Sequence, residues 1–441
     1  KLRDTAGSTD AITLDPNGGA VLAGVTTVST VKVGSGVTIS SDGDVFTTGI
    51  TTSSTVIVGS GVTISESGIE ASGIGITVAN INGGAIGGRR NLIINGAMNI
   101  AQRGTSSTSS SYQTVDRIIH TGTGWDEAMT QSQSDVASGT TPYTLGFRKA
   151  FKITNGNQTS GLGTNDILEA LRYRVEAQDM ATCGWNYTDP NSFITLSFWV
   201  KSSVSFNMKG YFFHHDGSTQ SYPLETGTLT ANTWTKIVRK IPGNSNVQFD
   251  NNADVGLTIS FGIFGSLFSS ANSPVNQWVS YSSATLTNPS ETTWYTTNDA
   301  TLEFTGLQLE VGDTSISFEH IRYADELLRC QRYFTFVPSG TVFPGRGNSG
   351  SSYIYSYQST VPMRRSPTIG VSNDIAHGTF SVRRYRDGTG VSDSTSTPTT
   401  SSTYFSPNSN MIHLIQGGFS GADDRSATLF VSGGAITISA E

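Results

Sequence analysis

Charge is what this sequence has least of. Its 441 residues include 27 basic and 34 acidic ones, so only 14% are charged, against roughly 25% in a typical soluble domain. Its surface must be solvated mostly by hydroxyls and amides, which suits an extracellular all-β protein better than a cytosolic helical enzyme. The formal net charge of −7 excludes the basic footprint that a nucleic-acid partner requires. No apolar run approaches the roughly 20 residues of a membrane-spanning helix, and no signal-peptide pattern is visible. Lys1 rather than Met stands first, which implies a segment upstream. Cysteine is nearly absent: Cys183 and Cys330 are the two, far apart and in no CxxC pair, so there is no zinc or redox motif. Both are expected to be reduced, with a single bridge as the alternative. The serine-hydrolase, zinc-protease and phosphate-loop signatures GxSxG, HExxH and P-loop are missing too.

Aromatic residues are also missing from one end. Residues 1–90 contain no Trp or Tyr, and Phe46 is their one aromatic. What they contain is a repeat. GVTTVSTVKVGSGVTIS (Gly24–Ser40) returns as GITTSSTVIVGSGVTIS (Gly49–Ser65), at an offset of 25 residues, and a weaker copy follows over Ser67–Gly84. Such a period marks a repeat architecture. Within a copy, Val31, Val33, Val37 and Ile39 are β-branched and spaced by two around Gly-Ser-Gly, which is a strand–turn–strand pattern. One unit is too thin to bury its own apolar face, and two or three stacked in one chain remain marginal. The segment ends in a glycine-dense hinge, Ile81–Asn91.

A different composition then begins, and the length allows two to four domains. Strand candidates follow over Thr144–Asn155, Leu168–Gln178, Phe193–Ser203, Asn207–Asp216, Thr233–Pro242, Val255–Gly265 and Ala300–Gly312. In one of them Leu171, Tyr173 and Val175 face one way, and Arg172, Arg174 and Glu176 the other. Trp234–Arg239 carries apolar residues on both sides, so that strand is expected to be covered on both faces. Turn residues separate the runs, and the series implies a sandwich or jelly roll over 91–323. Residues 324–334 (ADELLRCQRYF) read as a short helical connector with Asp325 and Glu326 at its N-terminal end. Residues 335–441 form a β-rich tip, with strands near Ser352–Tyr357, Thr379–Tyr385, Met411–Gln416 and Ala427–Ile438. A long polar loop, Gly388–Asn410, interrupts them. The fold class is therefore all-β: an N-terminal β-repeat stalk, a central jelly-roll β-sandwich and a C-terminal β tip.

Three stretches carry a family resemblance. RRNLIINGAMNIAQRGTS…YQTVDRI (Arg89–Ile118) resembles the entry motif of tailed-phage fibre and tail-associated proteins. TGLQLEVGDTSISFEHIRYADELLRCQRYF (Thr305–Phe334) resembles the segment that closes their jelly roll. VPMRRSPTI (Val361–Ile369) is similar to a phrase that follows it in their tips, and the repeats look like fibre-shaft sequence of cyanobacterium-infecting myophages. The middle region also resembles the carbohydrate-binding jelly rolls attached to bacterial glycanases. The resemblance implies a homotrimeric tail fibre, located on the virion and exposed to the medium. Three chains wound side by side would bury each other's apolar stripe in the stalk and remove exposed strand edges. It also implies attachment to other tail or baseplate proteins through the N-terminal end and non-covalent binding of bacterial surface glycan. A purely structural head, collar or neck appendage is the alternative, and a glycan depolymerase the third reading.

Sugar sites need a stacking ring beside amides and carboxylates. Trp185 and Tyr187 in CGWNYTDPN meet that description, as do Trp294 and Tyr295 in NPSETTWYTTND; the alternative for each is a packing plug between loops. Trp199 and Trp234 sit inside strand patterns and are read as core. In the tip, Arg384, Tyr385 and Arg386 form a basic patch in which Arg384 and Arg386 share a strand face. It suits an anionic glycan or lipopolysaccharide phosphate, or else intersubunit salt bridges. Glu303 and Glu310 read as a solvated strand face rather than a glycosidase pair. His214 and His215 are adjacent on a strand and point to opposite faces, so they do not chelate one ion. No cofactor is implied, with structural calcium at Asp250, Asp254 or Asp313 as a possibility for loop carboxylates.

Overall fold

The computed structural model describes residues 90–163, 166–265, 274–282, 286–287, 292–337, 341–349, 352–371, 380–386, 389–393, 399–400, 410–417, 426–431 and 436–441, together with short strands before residue 72. The chain divides into two compact units, Lys1–Thr77 and Val78–Glu441. In the first, β1 (Leu2–Arg3), β2 (Asp10–Leu14) and β3 (Ala20–Leu22) form one antiparallel sheet. A second sheet joins β4 (Val56–Val58), β5 (Val62–Ser65) and β6 (Gly68–Ala71). The β4–β5 hairpin is the second copy of the repeat, with Val56 opposite Ile64 and Val58 opposite Val62. The first copy and the remainder of the stalk lie outside the described residues.

In the second unit, period-two alternation builds a β-sandwich. Its first sheet contains β7 (Ser106–Ser107), β9 (Thr130–Asp135), β10 (Lys149–Thr154), β12 (Phe193–Ser202), β15 (Thr235–Pro242) and β18 (Thr301–Val311), in the spatial order β15-β12-β18-β10-β9-β7. The second contains β8 (Ile119–Thr123), β11 (Ile167–Glu176), β13 (Phe206–His214), β14 (Gln220–Leu229), β16 (Val255–Gly265) and β17 (Val279–Ser280), in the order β17-β14-β13-β16-β11-β8. All pairings within them are antiparallel. Ile194, Leu196, Phe198 and Val200 of β12 face Leu257, Ile259 and Phe261 of β16 in one core. Phe198 and Phe261 meet with ring centroids 4.5 Å apart. Each such side chain contributes about 1.5–3 kcal/mol through burial.

All seven strand candidates are present. β14 lies outside them because Pro223 and Gly227 break its pattern. Pro223 tolerates the sheet because β17 pairs only with Gln220 and Ser221. The structure corrects one expectation. β15 is an edge strand: Ile237 and Ile241 point inward, but Lys236, Val238 and Lys240 are exposed, so it is covered on one face.

The entry and closing motifs meet in space. The Asn91 side chain bridges two strand positions. Its Nδ2 donates to the Leu307 carbonyl at 3.1 Å, and its Oδ1 accepts from the Leu309 and Ile93 amides at 3.0 Å. Main-chain bonds Leu92–Leu309 and Leu307–Gly96, each 2.9 Å, continue the pairing along β18. The Arg90 and Asn91 amides donate to the Glu319 carboxylate at 2.8 and 2.7 Å, and the Asn95 amide to Glu326. Glu326 belongs to the helix Tyr323–Gln331.

The tip packs onto this assembly. Its three-stranded sheet joins β19 (Phe334–Val337), β22 (Thr368–Val371) and β28 (Ile436–Ser439). A seven-stranded sheet joins β20 (Val342–Ser349), β21 (Ser352–Gln358), β23 (Phe380–Arg386), β24 (Thr389–Asp393), β25 (Thr399–Thr400), β26 (Met411–Gly417) and β27 (Ser426–Val431). The run expected over Ala427–Ile438 is two strands, and part of the polar loop over Gly388–Asn410 is strand. Where tip and sandwich join, Arg117 is buried, with its guanidinium 3.4 Å from the Tyr333 ring centroid and donating to the Arg174 carbonyl at 2.6 Å. Glu441 pairs with Arg103 at 2.6 Å. Glu176 accepts from Arg332 at 3.0 and 2.9 Å and from the Tyr333 hydroxyl at 2.5 Å. Arg364 of VPMRRSPTI, also buried, donates to the Ala253 carbonyl at 2.5 Å.

Two outcomes follow from this packing. A Cβ on Gly96 would sit 2.0 Å from the Leu307 carbonyl oxygen, so Gly96→Ala is expected to cost about 2 kcal/mol or more, read from urea unfolding. Burial alone would lift the Glu176 carboxyl, but hydrogen bonds from Arg332 and Tyr333 outweigh it and hold the group below its ordinary 4.5. A carboxyl held low in the folded chain stabilises it above the unfolded value, and that contribution is lost as pH falls through the folded value. Stability is therefore expected to drop below about pH 4.5, and Arg332→Ala to flatten that drop while costing about 3 kcal/mol at neutral pH. Urea titrations across acid pH check both.

Candidate functional site

The side of the first sheet that faces away from the core is the best-built candidate surface. On β12 the core takes Phe198 and Val200, so alternation turns Trp199 and Lys201 outward. The register then sets two rows. Trp199 lies opposite Lys236 on one side and Thr305 on the other. Lys201 lies opposite Glu303, which is opposite Lys152. Trp234 precedes β15 and brings its ring to 5.3 Å from the Lys201 ammonium. Lys201 and Glu303 pair at 2.8 Å. Between the bulky groups the floor is small: Ala150 is fully buried, and the Thr305 hydroxyl donates to the Lys149 carbonyl at 2.8 Å.

One extra residue on β18 shapes this floor. The β12–β18 register shifts between Ser197 and Trp199, where Gly306 has φ +65° and a Cβ would meet the Phe147 ring at 2.7 Å. Only glycine admits that ring and that backbone turn together. Phe147 thus packs with Val136 and Ala150, and Tyr143, Trp199, Trp234 and Phe318 pack around them. Both tryptophans remain partly exposed. The Trp234 indole N–H is turned inward, buried and without a hydrogen-bond partner, so this residue offers its ring and not its donor. Ring faces beside an ammonium and a carboxylate are what a sugar ring with equatorial hydroxyls needs.

The residues singled out from sequence are placed as follows. Trp199 and Trp234, read as core, are on this outer face, because β12 and β15 bury their alternate residues. Trp294 is fully buried and stacked on Phe264 at 5.0 Å, with its indole N–H donating to the Thr301 carbonyl at 3.1 Å. Tyr295 is 3% exposed and Trp185 4%, so these three rings are packing elements with no face open to a ligand. Tyr187 is partly buried, 5.1 Å from the Phe249 ring. The two loops are not brought together with the tryptophan face. Arg384, Tyr385 and Arg386 lie on β23, with Arg384 opposite Val391 and Arg386 opposite Thr389; their side chains lie outside the described residues. Glu303 holds Lys201, and Glu310 accepts from Gln308 at 3.0 Å and from the Ile316 amide at 3.1 Å.

His214 points into the core and His215 outward, where its Nε2 is 2.8 Å from the Thr258 hydroxyl. Burial lowers the His214 imidazole to about 4, and desolvation of the ring together with the nearby Arg174 and Arg172 charges lowers His215 likewise, so both are neutral at physiological pH. Asp250 and Asp254 flank Asp216, whose carboxyl is raised by burial and by their charges. Asp313 is elsewhere, 3.3 Å from the Lys240 ammonium. Among the described residues no group of three or more His, Cys, Asp or Glu is arranged to hold a metal ion. Cys183 and Cys330 are both free. No described helix is long and apolar enough to cross a membrane.

No family model and no curated protein matches this chain. Solved structures do. The chain is similar over 50% of its length to the enzymatically active domain of a bacteriophage CBA120 tailspike protein, at 10% identity and a TM-score of 0.28, covering 21% of that chain. It is similar over 50% to a putative sugar-binding protein from Bacteroides thetaiotaomicron, at 12% identity and a TM-score of 0.27, covering all of that chain. A family 11 carbohydrate-binding module from Clostridium thermocellum, in complex with a mixed-linked tetrasaccharide, matches over 49% at 13% identity, with a TM-score of 0.21 and 98% of that chain covered. Carbohydrate-binding modules and a tailspike domain are thus among its structural neighbours. Their scores are low, and the functional reading rests on this chain's own side chains.

Placement separates the tryptophans by stability. Trp294→Ala is expected to cost about 3–5 kcal/mol, as for a large core side chain. Trp199→Ala, on the outer face, is expected to cost about 1 kcal/mol. Equal losses in thermal unfolding would show that Trp199 is core after all.

Proposed function

We propose that this protein is a homotrimeric tail fibre of a tailed phage, and that its sandwich attaches to host-surface glycan without cleaving it. The observation that carries the glycan reading is the outward, partly exposed pair Trp199 and Trp234 beside the Lys201–Glu303 ion pair. The fibre reading is supported by the resemblance of the entry and closing motifs and by the repeat near the N-terminal end. Trimerisation offers the thin repeat units a partner surface, and three weak sites on one particle gain strongly from effective concentration. Glu303 is already engaged by an ammonium, which favours a binding role over acid catalysis. The N-terminal end would then meet other virion proteins.

The test uses the full chain. Its mass in solution, by light scattering, is expected to be three times the 46.7 kDa of one chain; a monomer would contradict the trimer. Labelled protein is expected to bind intact host cells saturably and to block phage adsorption. Trp234→Ala should weaken that binding by about tenfold or more, since buried aromatic anchors carry such energies. Binding that survives the loss of both tryptophans would move the site elsewhere. No binding to any host would leave a structural appendage, and release of reducing ends from host polysaccharide would make it a depolymerase.

A further inference from the structure

The tip carries a recess that the tryptophan face does not involve. In its seven-stranded sheet, Phe343, Tyr353, Tyr355, Ile412 and Leu414 are buried in the tip core. Alternation places Pro344, Arg346, Ile354, Ser356 and His413 on the opposite side. These five and Gly345 line an open depression of about 390 Å³, within the size range of small-ligand sites. The register fixes their positions: Arg346 lies opposite Ile354, and Ser356 opposite His413. Ile354 is 6% exposed and gives an apolar floor, with Pro344 beside it. The Ser356 hydroxyl and His413 Nδ1 are 3.2 Å apart. Tyr355 opposite Gly345 holds the frame: a Cβ there would meet the Tyr355 ring at 2.4 Å.

Arg346 is the unusual member. It is exposed, and among the described residues no carboxylate pairs with it. Five other guanidinium groups of this unit, those of Arg103, Arg117, Arg172, Arg329 and Arg332, have carboxylate partners. A planar fork of donors with no anion among the described residues, next to a hydroxyl–imidazole pair, favours a carboxylate or phosphate from outside. The apolar floor favours the body of a small ring over a bare ion.

We propose that this recess binds one acidic sugar unit, with Arg346 receiving its anionic group, Ser356 and His413 its hydroxyls, and Pro344 and Ile354 the ring. The anionic group could be the carboxylate of a uronic acid or a sugar phosphate, which share this chemistry. The site does not depend on the tryptophan face.

The experiment titrates the full chain with glucuronate, with glucose 6-phosphate and with glucose, by calorimetry. At least one acidic sugar is expected to bind in the millimolar range and glucose not. The tighter of the two names the source, carboxylate or phosphate. Arg346→Ala is expected to weaken binding about tenfold or more, the value of a charge-assisted hydrogen bond, and Arg346→Lys to keep part of it while losing the two-point fork. His413→Ala should give a smaller loss. Two results would overturn the proposal. One is no heat from either acidic sugar at about 20 mM, where a millimolar site saturates. The other is unchanged binding in an Arg346→Ala variant whose melting temperature matches the parent.

Discussion

A buried arginine joins the two halves of the larger unit. Arg117 has no water to solvate it, so its charge has to be met by the protein. Tyr333 covers one face of its guanidinium, the Arg174 carbonyl accepts from it, and Glu441 lies 3.9 Å away. Those three partners come from the closing motif, the second sheet and the last residue of the sequence. Next to it, Glu176 of β11 takes both arms of Arg332. A pair of this kind is weak evidence for net stability, since two charges were desolvated to make it. It is strong evidence for register, because displacing either partner strands a buried charge. The sandwich and the tip are therefore fixed against each other by electrostatics as much as by apolar contact.

This gives a physical account of the three motifs that carry the family resemblance. Arg89–Ile118 supplies Asn91, Gly96, Arg103 and Arg117. Thr305–Phe334 supplies the β18 backbone, Glu319, Glu326, Arg332 and Tyr333. Val361–Ile369 supplies Met363 to the tip core and Arg364 to the joint. Asn91 shows why a particular residue is needed. Its side chain donates to one strand carbonyl and accepts from one strand amide, which a carboxylate cannot do and an aliphatic side chain cannot attempt. The motifs mark one continuous piece of architecture. The chemistry open to solvent is elsewhere, on the outer face of the first sheet and on the tip.

Strand patterns made much of the sandwich legible. Leu171, Tyr173 and Val175 enter the core as their spacing requires, and Arg172 leaves it. The tryptophans were less legible. Aromatic residues in polar loops look like sugar plates, and aromatic residues in strands look like core, yet Trp294 is buried and Trp199 is not. Each inversion has its own cause. A loop such as Thr292–Asp299 can fold over the open end of a sandwich and plug it, whereas a strand buries only alternate residues. The signal for Trp199 was present in the phase of its strand: Phe198 and Val200 claim the inner face, so Trp199 cannot share it. Trp234 stands just before β15, in phase with the exposed Lys236, Val238 and Lys240.

By itself the sequence determined the all-β class, the positions of the principal strands, the short helix around Glu326 and the scarcity of charge that makes each buried pair conspicuous. These depend on local periodicity and composition, which a linear chain displays in full. Tertiary structure alone decided strand order, which sheet face meets solvent, and which distant residues become neighbours. Asn91 and Leu309, or Arg346, Ser356 and His413, are brought together by sheet register, and register is set by long-range packing and by single bulges such as that at Gly306. No window of sequence contains that information, because the partners that supply it lie tens to hundreds of residues away.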